Sequence, residues 1–160
     1  MNPRVEKMFA HREAVPGTKI RTGVSVVVRG DDGHVLLEKR SDCGLWGLLG
    51  GGVNPGESVV ETAQREVLEE SGFHIEVTGL IGVYSHPDGR ILVYPDNGDI
   101  RHLIDIVLEA RIVGGSLRLS SESECIEFFP PGRLPPTEEI IPPARQPIAD
   151  AMAGRYGVIG

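Results

Sequence analysis

The chain has 160 residues and a formal net charge of -7, with 40% hydrophobic and 24% charged residues. This length and composition suit one globular domain with a substantial core and exclude wholesale disorder. The acidic balance argues against a protein that holds nucleic acid through a basic face. A small anionic ligand stays compatible with it if a metal ion lies between ligand and protein.

Cysteine content and apolar runs bear on the compartment. Cys43 and Cys125 are too few for a disulfide framework, and nothing near them has metal-ligand spacing. Residues 1–20 contain no apolar run typical of a signal peptide, and no stretch of 18 apolar residues occurs in the chain. We therefore expect a cytoplasmic protein that does not enter a membrane.

The first elements are an N-terminal arm and a β-hairpin. Residues 1–20 are polar, and we predict an arm or a short element packed on a single domain of residues 21–160. Residues 22–29 are rich in β-branched side chains, and Asp31-Asp32-Gly33 predicts a turn before a second strand at 34–40.

A glycine-rich loop and the strongest predicted helix follow. Residues 44–56 contain six glycines, which suggests a backbone held close to another group. Ser58 and Glu61 have the spacing of a capping box, and Gly72 is placed to end the helix.

The remainder predicts an α/β or α+β fold with a mixed sheet between helices. Residues 86–100 carry turn signals and predict an irregular loop. Seven of the twelve prolines lie between Pro130 and Pro147, which predicts an extended loop before a short helix at 148–153. Further strands are predicted at 75–84, 102–113 and 125–130.

The predicted helix has an apolar arc and an acidic arc. At about 100° per residue, the apolar arc that we expect to be buried contains Val59, Val60, Ala63 and Val67. The neighbouring arc contains Glu66, Glu69 and Glu70.

Carboxylates this close repel one another, by about 0.2–0.5 kcal/mol for an i,i+4 pair, and Arg65 offsets only part of that repulsion. The arc suits a hard cation with oxygen ligands, Mg²⁺ or Mn²⁺. Taken alone, REVLEE is more typical of a solvated helix surface.

The surrounding residues favour the metal site. They complete the pattern G-x5-E-x7-R-E-U-x-E-E-x-G-U, where U is a bulky apolar residue. The composition of this chain gives a chance of about one in a million of filling every position. The pattern occupies Gly51, Glu57, Arg65, Glu66, Val67, Glu69, Glu70, Gly72 and Phe73.

This pattern resembles that of the Nudix (MutT-like) hydrolases. The flanking WGLLGGGVNPGES at 46–58 is similar to the family's W-G-L-P-G-G-x-V-E-x-G-E-S, and the resemblance covers most of residues 20–135. The chain departs from the family at Leu49, Gly52 and Asn54, where proline, a larger residue and glutamate are usual. These departures bear on substrate fit more than on chemistry.

The resemblance implies a Nudix-type α/β/α sandwich and a Mg²⁺ or Mn²⁺ cofactor. The implied metal ligands are the Gly51 carbonyl, Glu66, Glu69 and Glu70. Glu57 and Arg65 would orient the carboxylates, with direct phosphate contact as the alternative for Arg65.

The proton acceptor would be Glu66 or a carboxylate from a later loop. Glu122 occupies the position that resembles this loop acid, and Glu124 is its neighbour. A solvated loop position is an equally good interpretation of both.

Residues outside the pattern have two interpretations each. Trp46 is read as a packing anchor in preference to a stacking platform. Lys39 and Arg40 either reach the leaving phosphate or lie on an exposed edge. His86-Pro87 matches a weak family cue for ADP-ribose cleavage and equally an ordinary turn.

The leading hypothesis is a hydrolase for a nucleoside diphosphate linked to another moiety. This class includes ADP-ribose, nucleotide sugars, dinucleoside polyphosphates and modified nucleoside triphosphates. The alternatives are a catalytically silent Nudix-fold module that binds a nucleotide, and a protein-interaction domain with an acidic surface helix. A homodimer is compatible with the resemblance by analogy alone.

Overall fold

The computed structural model of the protein describes residues 2–160. Within this range the chain forms three α-helices, nine strands and a single 3-10 turn at Thr137–Glu139. In chain order they are α1 (Pro3–Met8), β1 (Lys19–Arg29), β2 (Val35–Arg40), β3 (Trp46–Gly47), β4 (Leu49–Gly52), α2 (Val59–Ser71), β5 (Phe73–Tyr84), β6 (Ile91–Val93), β7 (Ile100–Gly115), β8 (Ser123–Phe129), α3 (Pro142–Met152) and β9 (Val158–Ile159).

The strands form a mixed sheet with the order β3-β2-β1-β7-β5-β9, to which β4, β6 and β8 are joined at the side. β1 and β7 are parallel over the whole of Lys19–Arg29, whereas β5 and β7 are antiparallel. α2 packs on one face of the sheet, and α1 and α3 pack on the other. The predicted mixed sheet between helices is confirmed.

The β1–β2 hairpin opens away from its turn. Arg29 pairs with Val35 beside the turn, where Gly33 has a positive φ of 80°. Further along, β1 pairs with β4 and β7, while β2 pairs with β3 and β8. Because β1 and β2 diverge, residues of both strands can line a cleft at the sheet edge.

The ends of α2 are as predicted. The Ser58 side chain accepts from the Glu61 N–H at 3.1 Å, and the Glu61 carboxylate accepts from the Ser58 N–H at 3.0 Å. Gly72 ends the helix with φ of 81°, a left-handed conformation that favours glycine.

The predicted buried face of α2 is partly wrong. Ala63 and Val67 are fully buried against the sheet, but Val60 is 39% exposed. Thr62 and Glu70 are buried in its place. The helix is thus rotated toward β4 relative to the prediction, and in this orientation the Glu70 carboxylate accepts the Gly50 N–H at 2.9 Å.

On the opposite face, α1 lies within residues 1–20. Its Val5 and Met8 are buried in the same cluster as residues of α3. The N-terminal segment therefore packs on the domain, and β1 begins at Lys19, before the predicted start at residue 22.

The prediction of an extended loop up to Pro147, with a helix only from 148, is wrong. α3 begins at Pro142, because prolines in a first helical turn lack only N–H groups that have no partner there. Pro147 inside the helix cannot bond the Pro143 carbonyl, and the Arg90 guanidinium donates to that carbonyl at 3.2 Å.

The predicted irregular loop at 86–100 is also partly wrong, since β6 lies within it and pairs with Ile100–His102 of β7. Three residues between turn signals are too short a run to show strand periodicity. Among residues 2–160, no helix has the length and apolar character needed to cross a membrane.

Two valines of α2 test this packing. We expect Val67→Ala to lower the free energy of unfolding by about 2 kcal/mol, because it leaves a cavity in the core. The matched Val60→Ala removes the same atoms from a partly exposed site and should stay within about 0.5 kcal/mol of the unchanged chain. Urea denaturation followed by circular dichroism measures both. Equal losses would contradict the observed rotation of α2.

Candidate active site

A cleft of about 680 Å³ lies at the divergence of β1 and β2. Residues of α2, of the β6–β7 hairpin and of the loop before β8 complete its wall. One end is acidic and the other contains arginines and a tyrosine. The carboxylates of the acidic end are Glu38, Glu66, Glu69, Glu70 and Glu122.

Two glycines of β4 bring the backbone close to its neighbours. A Cβ on Gly51 would lie 2.4 Å from the Glu66 carboxyl carbon, and a Cβ on Gly50 would lie 2.0 Å from the Val24 carbonyl oxygen. Any side chain at either position would displace β1 or the Glu66 carboxylate. This close approach accounts for the glycine-rich loop.

Arg65 connects the loop after β4 with the acidic arc of α2. Its Nε and Nη2 donate to the two Glu57 carboxylate oxygens at 2.6 and 2.9 Å. Nη1 donates to Glu66 at 2.8 Å and to Glu69 at 3.4 Å. Nη2 also donates to the Gly52 carbonyl at 3.1 Å. Since the guanidinium is engaged by the protein, this geometry favours the orienting role over direct phosphate contact.

Glu70 and Glu38 form a buried carboxyl pair. Each is 4% exposed. Glu70 accepts the Gly50 N–H, and Glu38 accepts the Ser123 hydroxyl at 2.7 Å. Burial, with the adjacent Glu38 carboxyl as the second cause, raises the pKa of Glu70 to about 10. Burial also raises the pKa of Glu38.

This pair has no positive partner. Within residues 2–160, neither carboxyl group forms an ion pair with lysine, arginine or histidine. Two buried carboxyl groups side by side are stable only with a proton or a cation to offset them. The donor set therefore fits a hard divalent ion that prefers oxygen ligands.

The predicted metal ligands are neighbours but do not form a closed coordination shell. In the described part of the chain, no three His, Cys, Asp or Glu side chains are already gathered around one point. Glu66 and Glu69 instead bind Arg65. Glu70 lies next to Glu38 and accepts the Gly50 N–H.

Glu38 was not predicted as a site residue from the sequence. The available signal was an acidic residue directly after Val35-Leu36-Leu37, which are fully buried. A carboxylate on a buried stretch of strand needs a polar partner. The partner of Glu38 is Glu70, and only the packing of α2 against β4 brings the two together.

Two acids before and within β8 differ in placement. Glu122 lines the cleft and is exposed. Glu124 lies 3.8 Å from Lys39 in an ion pair. Arg40 lines the cleft, but its guanidinium is bound by Asp42 at 2.6 Å.

Trp46 and the His86-Pro87 segment lie outside the cleft. The Trp46 ring packs edge-on against Phe129 with 4.9 Å between centroids, which agrees with its interpretation as a packing anchor. The Pro87 carbonyl accepts the Arg90 N–H at 2.9 Å, and the segment forms a turn.

Residues 19–151 match the model of the NUDIX domain family. The chain therefore belongs to the Nudix hydrolases, and it is an enzyme of that class.

Among curated proteins, the chain is 38% identical over 114 residues to a putative 8-oxo-dGTP diphosphatase of Bacillus subtilis, covering 71% of this chain and 68% of that protein. It is also 38% identical over 108 residues to an ADP-ribose pyrophosphatase of Methanocaldococcus jannaschii, covering 65% and 59%. A Nudix hydrolase structure from Nitrosomonas europaea aligns with a TM-score of 0.69 at 21% identity, covering 92% and 81%. The predicted family and α/β/α sandwich are confirmed.

Glu57 offers a pH test of the Arg65 contacts. Its hydrogen bonds with Arg65 lower its pKa from 4.5 to about 2. The ionised carboxylate therefore stabilises the fold above pH 4.5, and this contribution is lost as the pH falls toward 2. Carbon-13 NMR of the side-chain carboxyl should show Glu57 titrating near pH 2, and Arg65→Gln should raise this midpoint toward the ordinary value.

Arg133→Gln, which changes an exposed arginine away from the cleft, should leave the Glu57 titration unchanged. A midpoint near 4.5 in the unchanged protein would contradict the bidentate contact.

Proposed function

We propose that this Nudix hydrolase cleaves a phosphoanhydride bond in a nucleoside diphosphate linked to another moiety, and that it requires Mg²⁺ or Mn²⁺. The observation that carries the proposal is the uncompensated Glu38–Glu70 pair beside Gly50 and Glu66, in a cleft large enough for a nucleotide. The names of the relatives make a modified nucleoside triphosphate and ADP-ribose the first substrates to test. Nucleotide sugars and dinucleoside polyphosphates follow.

The residues proposed to hold the ion are the Gly51 carbonyl, Glu66, Glu69 and Glu70. When bound, such an ion neutralises phosphate oxygens and lowers the pKa of a bound water. Arg65, held by Glu57, fixes the direction of the Glu66 and Glu69 carboxylates at the cleft wall.

Glu122 is the better of the two proposed proton acceptors. The Glu66 carboxylate is bound to Arg65 at 2.8 Å, whereas Glu122 forms no ion pair within residues 2–160 and is exposed at the cleft. A carboxylate in that position can accept a proton from attacking water and release it to solvent.

Replacing the acidic residues of α2 tests the site. We expect Glu69→Gln and Glu70→Gln each to lower kcat by about a hundredfold or more, because loss of even an indirect metal partner costs about 10–100-fold. Electron paramagnetic resonance of Mn²⁺ with nucleotide present should show weaker ion binding. Glu76→Gln, at an exposed pair with Arg111, is the matched control.

Thermal melting in EDTA separates this loss from unfolding. Glu70→Gln should melt at or above the temperature of the unchanged protein, because glutamine keeps an acceptor for the Gly50 N–H and does not have to take up a proton to be buried without charge. Tight nucleotide binding in Mg²⁺ without any product would instead support the silent binding module.

The loop acids form a second matched pair. We expect Glu122→Gln to lower kcat by about 10²–10⁴-fold, the usual contribution of a general base. Glu124→Gln should remain close to the unchanged rate because Glu124 binds Lys39. Steady-state kinetics on the best substrate measures both, and similar rates for the two variants would return the role to Glu66.

A further inference from the structure

Next to the carboxylates, one end of the cleft contains Arg21 of β1, Tyr94 after β6 and Arg101 of β7. We infer that this arginine–tyrosine end binds a phosphate group outside the scissile linkage, so that the substrate class is a nucleoside triphosphate or longer polyphosphate. The inference rests on the proposed function and narrows its substrate class.

Arg21 is a guanidinium without a counter-charge. Among the arginines that line the cleft, Arg40 is bound by Asp42 and Arg101 by Asp99 at 3.2 Å. Arg21 has no carboxylate within ion-pair distance in residues 2–160, and it donates through Nη1 to the Tyr94 hydroxyl. In a chain of net charge -7, such a group is available for an anion from outside.

Tyr94 holds both arginines in place. The guanidinium carbon of Arg21 lies 5.5 Å from the centre of the Tyr94 ring, and that of Arg101 lies 5.8 Å from it, which is cation–π distance. The Arg101 Nε is buried and has no hydrogen-bond partner in the described chain. Two fixed guanidinium groups and a free donor suit a phosphate better than a neutral sugar.

The floor between the two ends is open. Gly23 lies two residues after Arg21 on β1, and a Cβ there would lie 3.0 Å from Leu103 and 3.6 Å from the Gly51 carbonyl oxygen. Because Gly23 has no side chain, position 23 of β1 adds no bulk between Arg21 and the Gly51 carbonyl. Asp105 lies on the same floor, where its carboxylate accepts the Ser25 hydroxyl at 3.0 Å.

The spacing favours an adjacent phosphate of the same chain. The Arg21 Nη2 lies 3.1 Å from the position that a Cβ on Gly52 would take, directly after the proposed ligand Gly51. Arg21 is therefore within reach of a phosphate that follows a diphosphate held at Gly51. A substrate such as ADP-ribose has no third phosphate to offer.

Kinetics on two substrates test the inference. We expect Arg21→Gln to raise KM for a nucleoside triphosphate by about tenfold to a hundredfold, the value of a lost charged hydrogen bond, with little change in kcat. The same Arg21→Gln substitution should change kcat/KM for ADP-ribose by less than about twofold. Arg21→Lys should recover part of the loss, and Arg111→Gln, at an exposed pair outside the cleft, should leave both substrates unchanged.

Calorimetry with inorganic tripolyphosphate and pyrophosphate in Mg²⁺ separates this inference from the proposed function. Arg21→Gln should weaken tripolyphosphate binding by about tenfold or more and pyrophosphate binding much less. If Arg21→Gln weakens tripolyphosphate binding in this way but the unchanged protein cleaves no substrate, the proposed function is wrong and the phosphate site is still supported. Equal losses on both anions or both substrates, or no tripolyphosphate binding by the unchanged protein, would overturn the inference, since Arg21 would then only brace Tyr94.

Discussion

The contact between the Arg65 guanidinium and the Glu57 carboxylate determines the geometry of the acidic cleft. It joins the loop after β4 to α2 through two short hydrogen bonds, and the remaining donors reach Glu66, Glu69 and the Gly52 carbonyl. Because the guanidinium is planar and its donors are fixed in direction, the carboxylates inherit a defined orientation. Without this positive charge, the neighbouring Glu66 and Glu69 carboxylates would lose the hydrogen bonds that hold them at the cleft wall.

The Glu38–Glu70 pair shows the opposite condition, since these buried carboxyl groups form no ion pair within residues 2–160 and burial raises the pKa of both. A fold usually avoids such an arrangement because desolvating a charge costs several kcal/mol, on the order of the whole stability margin. The pair lines the cleft, among the residues that we propose to hold the metal ion. The side of α2 that carries Arg65 and the side that carries Glu70 thus have different electrostatic surroundings, although both belong to one short helix.

Short-range sequence signals predicted the bounds of α2 and the positions of its acidic residues. The capping box at Ser58 and the glycine at Gly72 act within a few residues, and the family pattern fixed the spacing of the acidic arc. Long-range packing accounts for what the sequence did not show, since the rotation of α2 that exposes Val60 depends on a contact with β4, and the role of Glu38 depends on a helix far along the chain. The functional roles, the cytoplasmic location and a homodimer stay predictions.

The irregularity of α3 at Pro147 has a structural use. By removing one amide donor, it leaves a carbonyl at Pro143 that Arg90 reaches from the base of the hairpin bearing Tyr94. This hydrogen bond connects α3, on the sheet face opposite α2, with the β6–β7 hairpin that borders the cleft. We therefore expect a substitution at Arg90 or Pro143 to shift the hairpin that carries Tyr94, although neither residue lines the cleft.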